Sequence, residues 1–511
     1  AKGKVSFNKY KEFKITNYKL SETKTTISYV LLADVILVSN NKDLIQKSID
    51  LFKDKNKNSL INDKGFQRII GKIKKDSLLW GYVNNKKYYQ EILKEYTLSS
   101  LHSHESEEIK LLNSMKIKPF VNLMNVLDTS SFYIDYDKLK QGFISKGYNT
   151  FDKSQDIDNI LSIISGKLID TNTFNLIPRN ITGYYGGNQD FVNSWRFLKK
   201  FLSATDEMMK EGMKADKRYS QFKDRIDEMP NFEDFLKIVE SYLGVNIENE
   251  VLPLLGNDFG IVFVHLEDAS IRFGSNQGDT ELPMQQLNTP FMFPQGYGFL
   301  EVKDTANAQM LIDKMARNLV NNLNKFIQEQ KQKFQEQYGI KDQQDNKGQP
   351  VPEQEKDKIR LQQESYSDIA LYTFEILDFP LDFIKPNYCI LDKYIVFSLS
   401  PKLTRNIIDI YKTRQDSFNS NYKFESVKDK IDPNYANIMF FDSEKLINNF
   451  RNLNFYTSMQ SSPLRIKESS FKKLDSILDI LSNFQIFAFT NTMIDPETME
   501  STFYIKVKGL L

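Results

Sequence analysis

The residues best able to do chemistry in this 511-residue sequence are three histidines and a single cysteine. His102 and His104 lie two positions apart in a polar stretch that also contains Glu105 and Glu107. Zinc needs three or four converging ligands, and a histidine pair with this spacing converges only on a strand or a turn. We therefore interpret the stretch as an exposed surface loop, with a metal site as the alternative, and we predict no metal and no cofactor.

The other two candidates are interpreted as structural residues. His265 ends an apolar run and is expected at the rim of a strand. Cys389 lies inside the apolar run Tyr388–Leu391, which predicts a buried strand residue rather than a nucleophile. No Gly-x-Ser-x-Gly motif is present in the sequence. We predict no catalytic residues, so the sequence favours a protein that is not an enzyme.

Acidic pairs and one glycine-rich stretch are the remaining candidates. Glycoside hydrolysis needs two carboxyl groups at a defined separation in a cleft. Sequence does not show whether residues 224–228 (DRIDE) or 248–250 (ENE) meet that need, and we interpret both as solvated. Residues 184–188 (YYGGN) lack the phosphate-binding glycine patterns, which favours a tight turn that leads into a helix with Trp195.

Composition indicates large folded cores. The sequence is 40% hydrophobic and 13% aromatic, and its formal net charge is +1 from 68 basic and 67 acidic side chains. This balance argues against nucleic-acid binding, which usually shows as a basic surplus on one face. No apolar run reaches the roughly 18 residues that a membrane-spanning helix needs.

A hairpin followed by a helix occurs near each end of the sequence. Residues 26–39 form two apolar runs around Ala33-Asp34 and precede a helical pattern over 40–53. Residues 388–398 form two runs around Asp392-Lys393 and precede a helix over 401–411 with Pro401 in its first turn. The sequence thus repeats one succession of elements.

The repeat can be followed residue by residue. With Tyr29 aligned on Tyr388 and no gap, the matched pairs are Leu32 and Leu391, Ile36 and Ile395, Ser39 and Ser398, Leu44 and Leu403, Ile49 and Ile408, and Asp50 and Asp409. Farther along, residues 80–83 align with 438–441, and residues 131–134 resemble 502–505. A period this long predicts duplication of a whole domain rather than a solenoid.

These patterns predict an α+β fold, with a duplicated module, antiparallel sheets built from hairpins, and helices packed on one face. Residues 1–160 are predicted to form a partial first module, the C-terminal part of the repeat. Residues 161–511 are predicted to form a complete second module. Flexible insertions are expected near 275–295 and 328–367, where glycine, proline, glutamine and charged residues predominate.

Three stretches carry a resemblance to a known family. They are the Ile-Pro-x-Asn-x-Thr pattern at 177–182, the segment Leu243–Gly260, and the hairpin Tyr388–Ser398. Together they resemble the bacterial family called domain of unknown function 3352, over most of 177–508 and a partial copy at about 13–136. The resemblance implies an envelope protein with an N-terminal signal or anchor and no assigned activity. It also implies that residues upstream of Ala1 complete the first module and carry the export signal.

The expected function is therefore a non-catalytic structural or binding component of the bacterial cell envelope, within a larger assembly. Its expected partners are envelope proteins and not nucleic acid, and its expected location is extracytoplasmic by resemblance only. Two alternatives stay open at this point. One is a glycan- or lipid-binding module with an aromatic-lined cleft, and the other is a polysaccharide-acting enzyme that depends on carboxylates.

Overall fold

A computed structural model gives the structure of the chain and divides it into two compact units, Ala1–Lys75 (unit 1) and Asp76–Leu511 (unit 2). The structure describes residues 3–20, 25–54, 59–91, 125–138, 141–155, 160–164, 166–215, 219, 221, 223–271, 289–338, 358–377, 384–452 and 468–508. Both units combine helices with antiparallel sheets, so the predicted α+β class is confirmed.

The elements of unit 1 are four strands and two helices. The strands are β1 (Gly3–Tyr10), β2 (Phe13–Leu20), β3 (Thr26–Leu32) and β4 (Val35–Ser39). The helices are α1 (Lys42–Asp54) and α2 (Lys64–Ile70).

Unit 2 holds the remaining elements. Its strands are β5 (Leu79–Asn84), β6 (Leu127–Asp137), β7 (Gly142–Phe151), β8 (Gly183–Asn188), β9 (Leu255–Ile271), β10 (Thr289–Val302), β11 (Ile359–Tyr366), β12 (Ile369–Ile376), β13 (Asn387–Leu391), β14 (Tyr394–Ser398), β15 (Asn437–Asp442), β16 (Phe484–Asp495) and β17 (Thr498–Val507). Its helices are α3 (Ile160–Ile164), α4 (Phe191–Ala215), α5 (Lys223–Ile226), α6 (Phe232–Leu243), α7 (Thr305–Tyr338), α8 (Pro401–Thr413), α9 (Tyr422–Glu425), α10 (Ser443–Asn452) and α11 (Glu468–Leu481).

Unit 1 is a four-stranded meander, in the order β1-β2-β3-β4, with α1 packed on one face. Two-residue turns join β1 to β2 and β3 to β4, and Lys11 and Ala33 take positive φ there. The Asn41 side chain accepts from the first-turn amides of α1, which ends the hairpin and starts the helix. Alternation then directs every second strand residue toward α1. The buried core is Ile15, Val30, Leu32, Ile45 and Ile49.

Unit 2 is organised around one antiparallel sheet of 13 strands, in the order β11-β12-β13-β14-β10-β9-β8-β15-β16-β17-β7-β6-β5. The strands from residues 79–151 pair into this sheet through β7 and β17. The predicted boundary at residue 160 therefore does not coincide with the division between the compact units, which falls at Lys75. The physical reason is the backbone ladder between β7 and β17, which the apolar pattern does not encode.

Residues 184–188 were predicted to form a tight turn, and this prediction is wrong. They belong to β8, which lies between β9 and β15 in the middle of the sheet. A side chain at Gly186 would place its Cβ 2.7 Å from the carbonyl oxygen of Phe259, and one at Gly187 would come equally close to that of Ala436. Glycine here serves close approach of neighbouring strands rather than chain reversal.

Parts of the two predicted insertions belong to regular helices and strands. Residues 289–295 belong to β10, residues 328–338 extend α7, and residues 359–366 form β11. Residues 275–288 and 339–357 of these two stretches lie outside the described residues. Polar composition misled the prediction because β11 is an edge strand, whose exposed positions tolerate Gln, Glu and Arg.

The main core of unit 2 lies between the sheet and α8. Its centre is an aromatic cluster in which the rings of Phe418 and Phe424 lie 4.5 Å apart and both contact Phe440. Helices occupy both faces of the sheet at β13 and β14: Ile408 of α8 packs on one side, and Ile312 of α7 packs on the other. This arrangement places α7 over the face of β13 and β14 that borders a cleft.

Candidate functional site

Helix α7 presents a continuous apolar side to the sheet. The side chain of Asp304 accepts from the amide of Asn307 at 3.0 Å, which caps the start of the helix. Apolar residues then recur at helical spacing. They are Ala308, Ile312, Met315, Ala316 and Leu319. Because this spacing forms a single stripe, the first half of α7 covers the strands beneath it.

A cleft of about 460 Å³ lies between this stripe and the sheet, and we call it the α7 cleft. Gly298 of β10 pairs with Phe397 of β14 and, having no side chain, leaves open space beside that ring. The lining is almost wholly apolar. It comprises Leu243, Gly296, Tyr297, Gly298, Ile312, Met315, Ala316, Leu319, Phe374, Pro386, Asn387, Tyr388, Phe397, Ser398 and Leu399.

One polar contact fixes the wall of the α7 cleft. The hydroxyl of Tyr388 donates to Oδ1 of Asp313 at 3.0 Å, and its ring stacks on Tyr372 with centroids 4.8 Å apart. Burial, and then the nearby Asp313 carboxylate, raise the pKa of Tyr388 well above its usual value. The phenol therefore stays protonated and acts as an anchor between helix and sheet, while the cleft is suited to an apolar ligand.

A second candidate is the face of the unit 1 meander that points away from α1, which we call the outer face. Cross-strand pairing puts Phe7 of β1, Tyr29 of β3 and Val38 of β4 on the same side of the sheet. The outer face comprises Val5, Phe7, Tyr29, Leu31, Ile36 and Val38, each between 45% and 65% exposed. Thr16 of β2 lies between Phe7 and Tyr29, and the Lys14 ammonium lies 3.9 Å from the centroid of the Phe7 ring, so the contiguous apolar part of the outer face is formed by β3 and β4. Apolar patches of this kind mark interaction sites in soluble proteins.

The edge of the same sheet at β4 carries no charged residue. Within the part of the chain that the structure describes, β4 pairs with β3 alone. The other edge strand, β1, contains Lys4 and Lys9. Edge strands are usually protected from further pairing by charged side chains, lysine above all. The β4 edge, Val35–Ser39, lacks that protection and offers backbone donors and acceptors next to the outer face.

A buried acidic network lies elsewhere in unit 2. Asn188 donates to Oδ1 of Asp258 at 2.7 Å, and Lys393 donates to Oε1 of Glu301 at 2.8 Å. Burial raises the pKa of Asp258. Burial also acts to raise the pKa of Glu301, but Lys393 and the amides of Asn257 and Asp258 outweigh it, and the net shift is downward. These groups bind one another across β8, β9 and β10, which is the pattern of a structural network.

A polar pocket of about 530 Å³ opens beside α9 and α10. Lys423 forms ion pairs with Asp442 at 2.8 Å and with Glu444 at 3.1 Å. Lys445 donates to the backbone and side-chain oxygens of Asn180, and burial lowers its pKa. The pocket thus joins the Ile-Pro-x-Asn-x-Thr stretch to α10, and its charged groups are held by intramolecular contacts.

The candidate reactive residues named from the sequence have the following positions in the structure. His102, His104, Glu105 and Glu107 lie outside the described residues. Cys389 is a fully buried strand residue, as predicted, and burial raises the pKa of its thiol to about 12. His265 lies in β9, opposite Gln295. Across the described ranges, no group of three or more His, Cys, Asp or Glu side chains could hold a metal ion.

The acidic stretches singled out in the sequence form ordinary ion pairs. Asp227 pairs with Lys214 at 2.7 Å, and Glu248 pairs with Lys199 at 3.1 Å. Glu250 pairs with Lys314 at 3.0 Å. The structure does not place these carboxylates in the α7 cleft, whose lining contains no acid. Partly exposed pairs of this kind contribute roughly 0–1 kcal/mol each to stability.

Sequence reasoning missed both apolar surfaces. The α7 stripe was visible as a helical pattern, but the cleft depends on Gly298 and Phe397, which meet only through β10–β14 pairing. The outer face was hidden because strands β3 and β4 are apolar on both sides, and such runs were interpreted as core. The usable signal was the absence of any charged residue within the apolar run of β4, which is unusual for an edge.

Comparisons with known proteins give one match. No helix in the described parts of the chain is long and apolar enough to cross a membrane. No curated protein and no solved structure matches the sequence. Residues 1–119, which include all of unit 1, match the model of the family described as protein of unknown function (DUF3352), and the chain therefore resembles that family.

Proposed function

We propose that this protein is a non-catalytic binding component of the bacterial cell envelope, outside the cytoplasm, that holds a protein partner on the outer face of unit 1. The observation that carries the proposal is the set of six exposed apolar side chains on one side of a four-stranded sheet. The envelope location rests on the family resemblance alone.

The apolar character of the outer face favours a protein partner. Burial of apolar surface stabilises association by roughly 25 cal/mol per Å², before the entropic costs of binding. The adjoining β4 edge adds main-chain hydrogen bonds, which a polypeptide can satisfy and a small apolar ligand cannot. A partner that used both surfaces would gain affinity from the face and orientation from the edge.

The described candidates for chemistry do not favour an enzyme. Cys389 is buried with a neutral thiol, and Asp227, Glu248 and Glu250 are engaged in ion pairs. A nucleophile needs an adjacent base that is itself oriented by a third group. These contacts support a binding role, in which surface complementarity rather than bond chemistry is the mechanism.

The proposal is tested by purification of the tagged chain from native envelope extracts. We expect a protein to co-purify at stoichiometric level with the unaltered chain and to be lost with the double variant Ile36→Lys/Val38→Lys. A charge on the outer face would have to be desolvated when the partner binds. The matched control is Ile261→Lys, since Ile261 is an apolar strand residue of unit 2 and as exposed as Val38, at 61%.

Two results would contradict the proposal. One is that no protein co-purifies at stoichiometric level with the unaltered chain. The other is that the same protein is recovered equally with the outer-face double variant and with the Ile261→Lys control. Circular dichroism of all three proteins, expected to be superimposable because the positions are exposed, excludes unfolding as the cause.

The α7 cleft supports a second candidate function, the binding of an apolar ligand such as a fatty acyl chain. Its volume of about 460 Å³ falls in the usual range for ligand sites. We expect a fluorescent fatty acid to bind the unaltered chain and to bind at least tenfold more weakly to Gly298→Met, whose side chain would occupy the space beside Phe397. Equal binding by both proteins would exclude the cleft as the site.

A further inference from the structure

We propose that the α7 cleft binds a free fatty acid, with the acyl chain along the apolar lining and the carboxylate on Arg317 of α7. This inference rests on the second candidate function, the binding of an apolar ligand in the cleft, and it names the head group that the ligand carries. It comes from a cation that lies beside an almost wholly apolar lining and, among the described residues, has no acidic partner.

The polar side chains of the lining are already engaged in hydrogen bonds. Asn387 donates to the carbonyl oxygen of Ser398 and accepts from the hydroxyl of Thr404. The hydroxyl of Ser398 donates to the carbonyl oxygen two residues farther along the chain. The hydroxyl of Tyr297 donates to the carbonyl oxygen of Leu176. The lining therefore offers a ligand apolar surface, and a polar head group has to bind at its margin, because burial without a hydrogen-bonding partner is costly.

Arg317 lies at that margin. It directly follows Ala316, which lines the cleft, and it comes one helical turn after Asp313. Oppositely charged residues at this spacing can pair on a helix. Here Asp313 instead accepts from Tyr388 at 3.0 Å and from Gln309 at 2.7 Å. Among the residues that the structure describes, Arg317 has no acidic partner, so the helix presents a positive charge that no carboxylate balances.

The charge of Arg317 acts on the aromatic wall of the cleft. Burial is the main cause that raises the pKa of Tyr372 and of Tyr388, and the positive charge of Arg317 acts in the opposite direction on both. Coulomb interactions weaken with distance, so the guanidinium is near the stack that these two rings form. Phe374 of the lining lies two positions from Tyr372, on the same face of β12. Arg317 therefore lies on the β12 side of the cleft.

The charges at the margin favour an anionic head group. A guanidinium presents a planar fork of donors that matches a carboxylate. Arg317 is exposed, so a carboxylate bound there keeps part of its hydration. Lys385, which directly precedes Pro386 of the lining, is also exposed and has no acidic partner within the described ranges. Both side chains carry the same sign of charge, which selects an acid over an amine.

The acyl chain of the ligand lies between α7 and the sheet. Met315 and Leu319 line the helix side of the cleft, Phe397 lines the sheet side, and Gly298 leaves open space beside that ring. Burial of methylene groups supplies most of the affinity, because the transfer free energy grows with the apolar area removed from water. The contact with Arg317 adds selection between head groups, since an uncharged head group does not pair with a cation.

The test compares a fluorescent fatty acid with its methyl ester, which has the same chain and fluorophore but no charge. We expect the unaltered chain to bind the acid roughly fivefold more tightly than the ester, the scale of a partly exposed charge-assisted contact. Arg317→Gln should lower the affinity for the acid to that for the ester and leave the affinity for the ester unchanged. Arg317→Glu should make the acid the weaker ligand, because like charges then meet at the margin of the cleft.

The matched control is Lys314→Gln, which removes a positive charge from the same helix. Lys314 pairs with Glu250 at 3.0 Å, so its charge is already balanced, and neither affinity should change. Gly298→Met should weaken binding of the acid and of the ester together, which places both ligands in the cleft. Circular dichroism of the Arg317 and Lys314 variants should match that of the unaltered chain, since both positions are exposed.

Three results would overturn the inference: equal binding of acid and ester by the unaltered chain, a preference for the acid that Arg317→Gln retains, or an equal loss of both ligands with Arg317→Gln. The second candidate function is judged separately by Gly298→Met. If that variant loses the ester while Arg317→Gln changes nothing, the cleft binds an apolar chain and does not select its head group. If neither ligand binds the unaltered chain, the second candidate function and the inference both fail.

Discussion

The meander of unit 1 and the meander at the end of the unit 2 sheet differ in their second face, not in their first. In both, a helix covers one side, and β-branched and aliphatic residues form the core beneath it. In unit 2 the other side is covered by α7, whereas in unit 1 the outer face is exposed. The comparison teaches that turn length and alternation build the scaffold locally, while the second layer depends on a separate segment.

The comparison also bears on stability. The cluster buried between the unit 1 meander and α1 has five residues, whereas the main cluster of unit 2 contains residues from Ile169 to Tyr504. Small cores leave little net stability after the entropy of folding is subtracted. We therefore expect the two units to unfold separately, with unit 1 in the earlier transition.

The largest expected effect is the loss of stability when a fully buried helix residue is truncated. These residues are Ile49 in α1 and Ile408 in α8. Truncation to alanine should destabilise the unit that contains it by about 2–5 kcal/mol, because it removes transfer free energy and leaves a cavity. Ile49→Ala should abolish the earlier transition in differential scanning calorimetry and leave the later one unchanged. Ile408→Ala should lower only the later one.

A single cooperative transition that both variants shift together would break this comparison, since it would mean that the two units fold as one. Leu44→Ala serves as the control for Ile49→Ala, because Leu44 lies on the exposed side of the same helix. It should leave both transitions close to those of the unaltered chain, within the roughly 0.5 kcal/mol typical of surface substitutions.

A smaller effect concerns the loss of unit 1 stability at low pH. The Lys11 ammonium lies 2.6 Å from Asp50, and with the Tyr10 hydroxyl it lowers the pKa of that carboxyl. Because the folded pKa lies below the unfolded value of about 3.9, the contribution is complete above that pH and is lost as the pH falls through the folded pKa. Asp50→Asn should therefore make the urea midpoint of unit 1 less dependent on pH below about 4.

Lys11→Met should also make the urea midpoint of unit 1 less dependent on pH, since it removes the donor that lowers the pKa of Asp50. Some acid sensitivity should remain in both variants, because Lys53 also lowers the pKa of Glu12 in the same unit. The stability of unit 1 could instead fall as steeply with decreasing pH in Asp50→Asn as in the unaltered chain. In that case the contact between Tyr10 and Asp50 would have no role in unit 1 stability.

Local patterns predicted much of both meanders. The two hairpins at 26–39 and 388–398, the helices that follow them, and the burial of Cys389 were all evident from alternation and helical spacing. The internal repeat stays a prediction, although strand order and registers agree between the two regions. The similarity of residues 131–134 to 502–505 does not follow the topology, because the former lie in β6 and the latter in β17.

Other features could not be predicted from local patterns. The glycines of β8 suggested a turn, because glycine occurs both where the chain reverses direction and where strands approach closely. The neighbouring residues that decide between these two roles are distant in sequence. The α7 cleft requires β10 to pair with β14, which joins residues about 100 positions apart. Neither candidate binding surface carries a motif, because each is made of apolar residues that look like core.

The sequence by itself determined the class of fold, the two-residue turns, and which side chains of each meander lie under its helix, since these depend on contacts between neighbours in the chain. The tertiary structure alone decided which apolar faces are covered. Tyr388 and Tyr29 occupy like positions in like strands, yet one is buried and the other exposed. The reason is physical: burial is a property of what packs against a residue, and the packing partner of a strand is set by distant parts of the molecule.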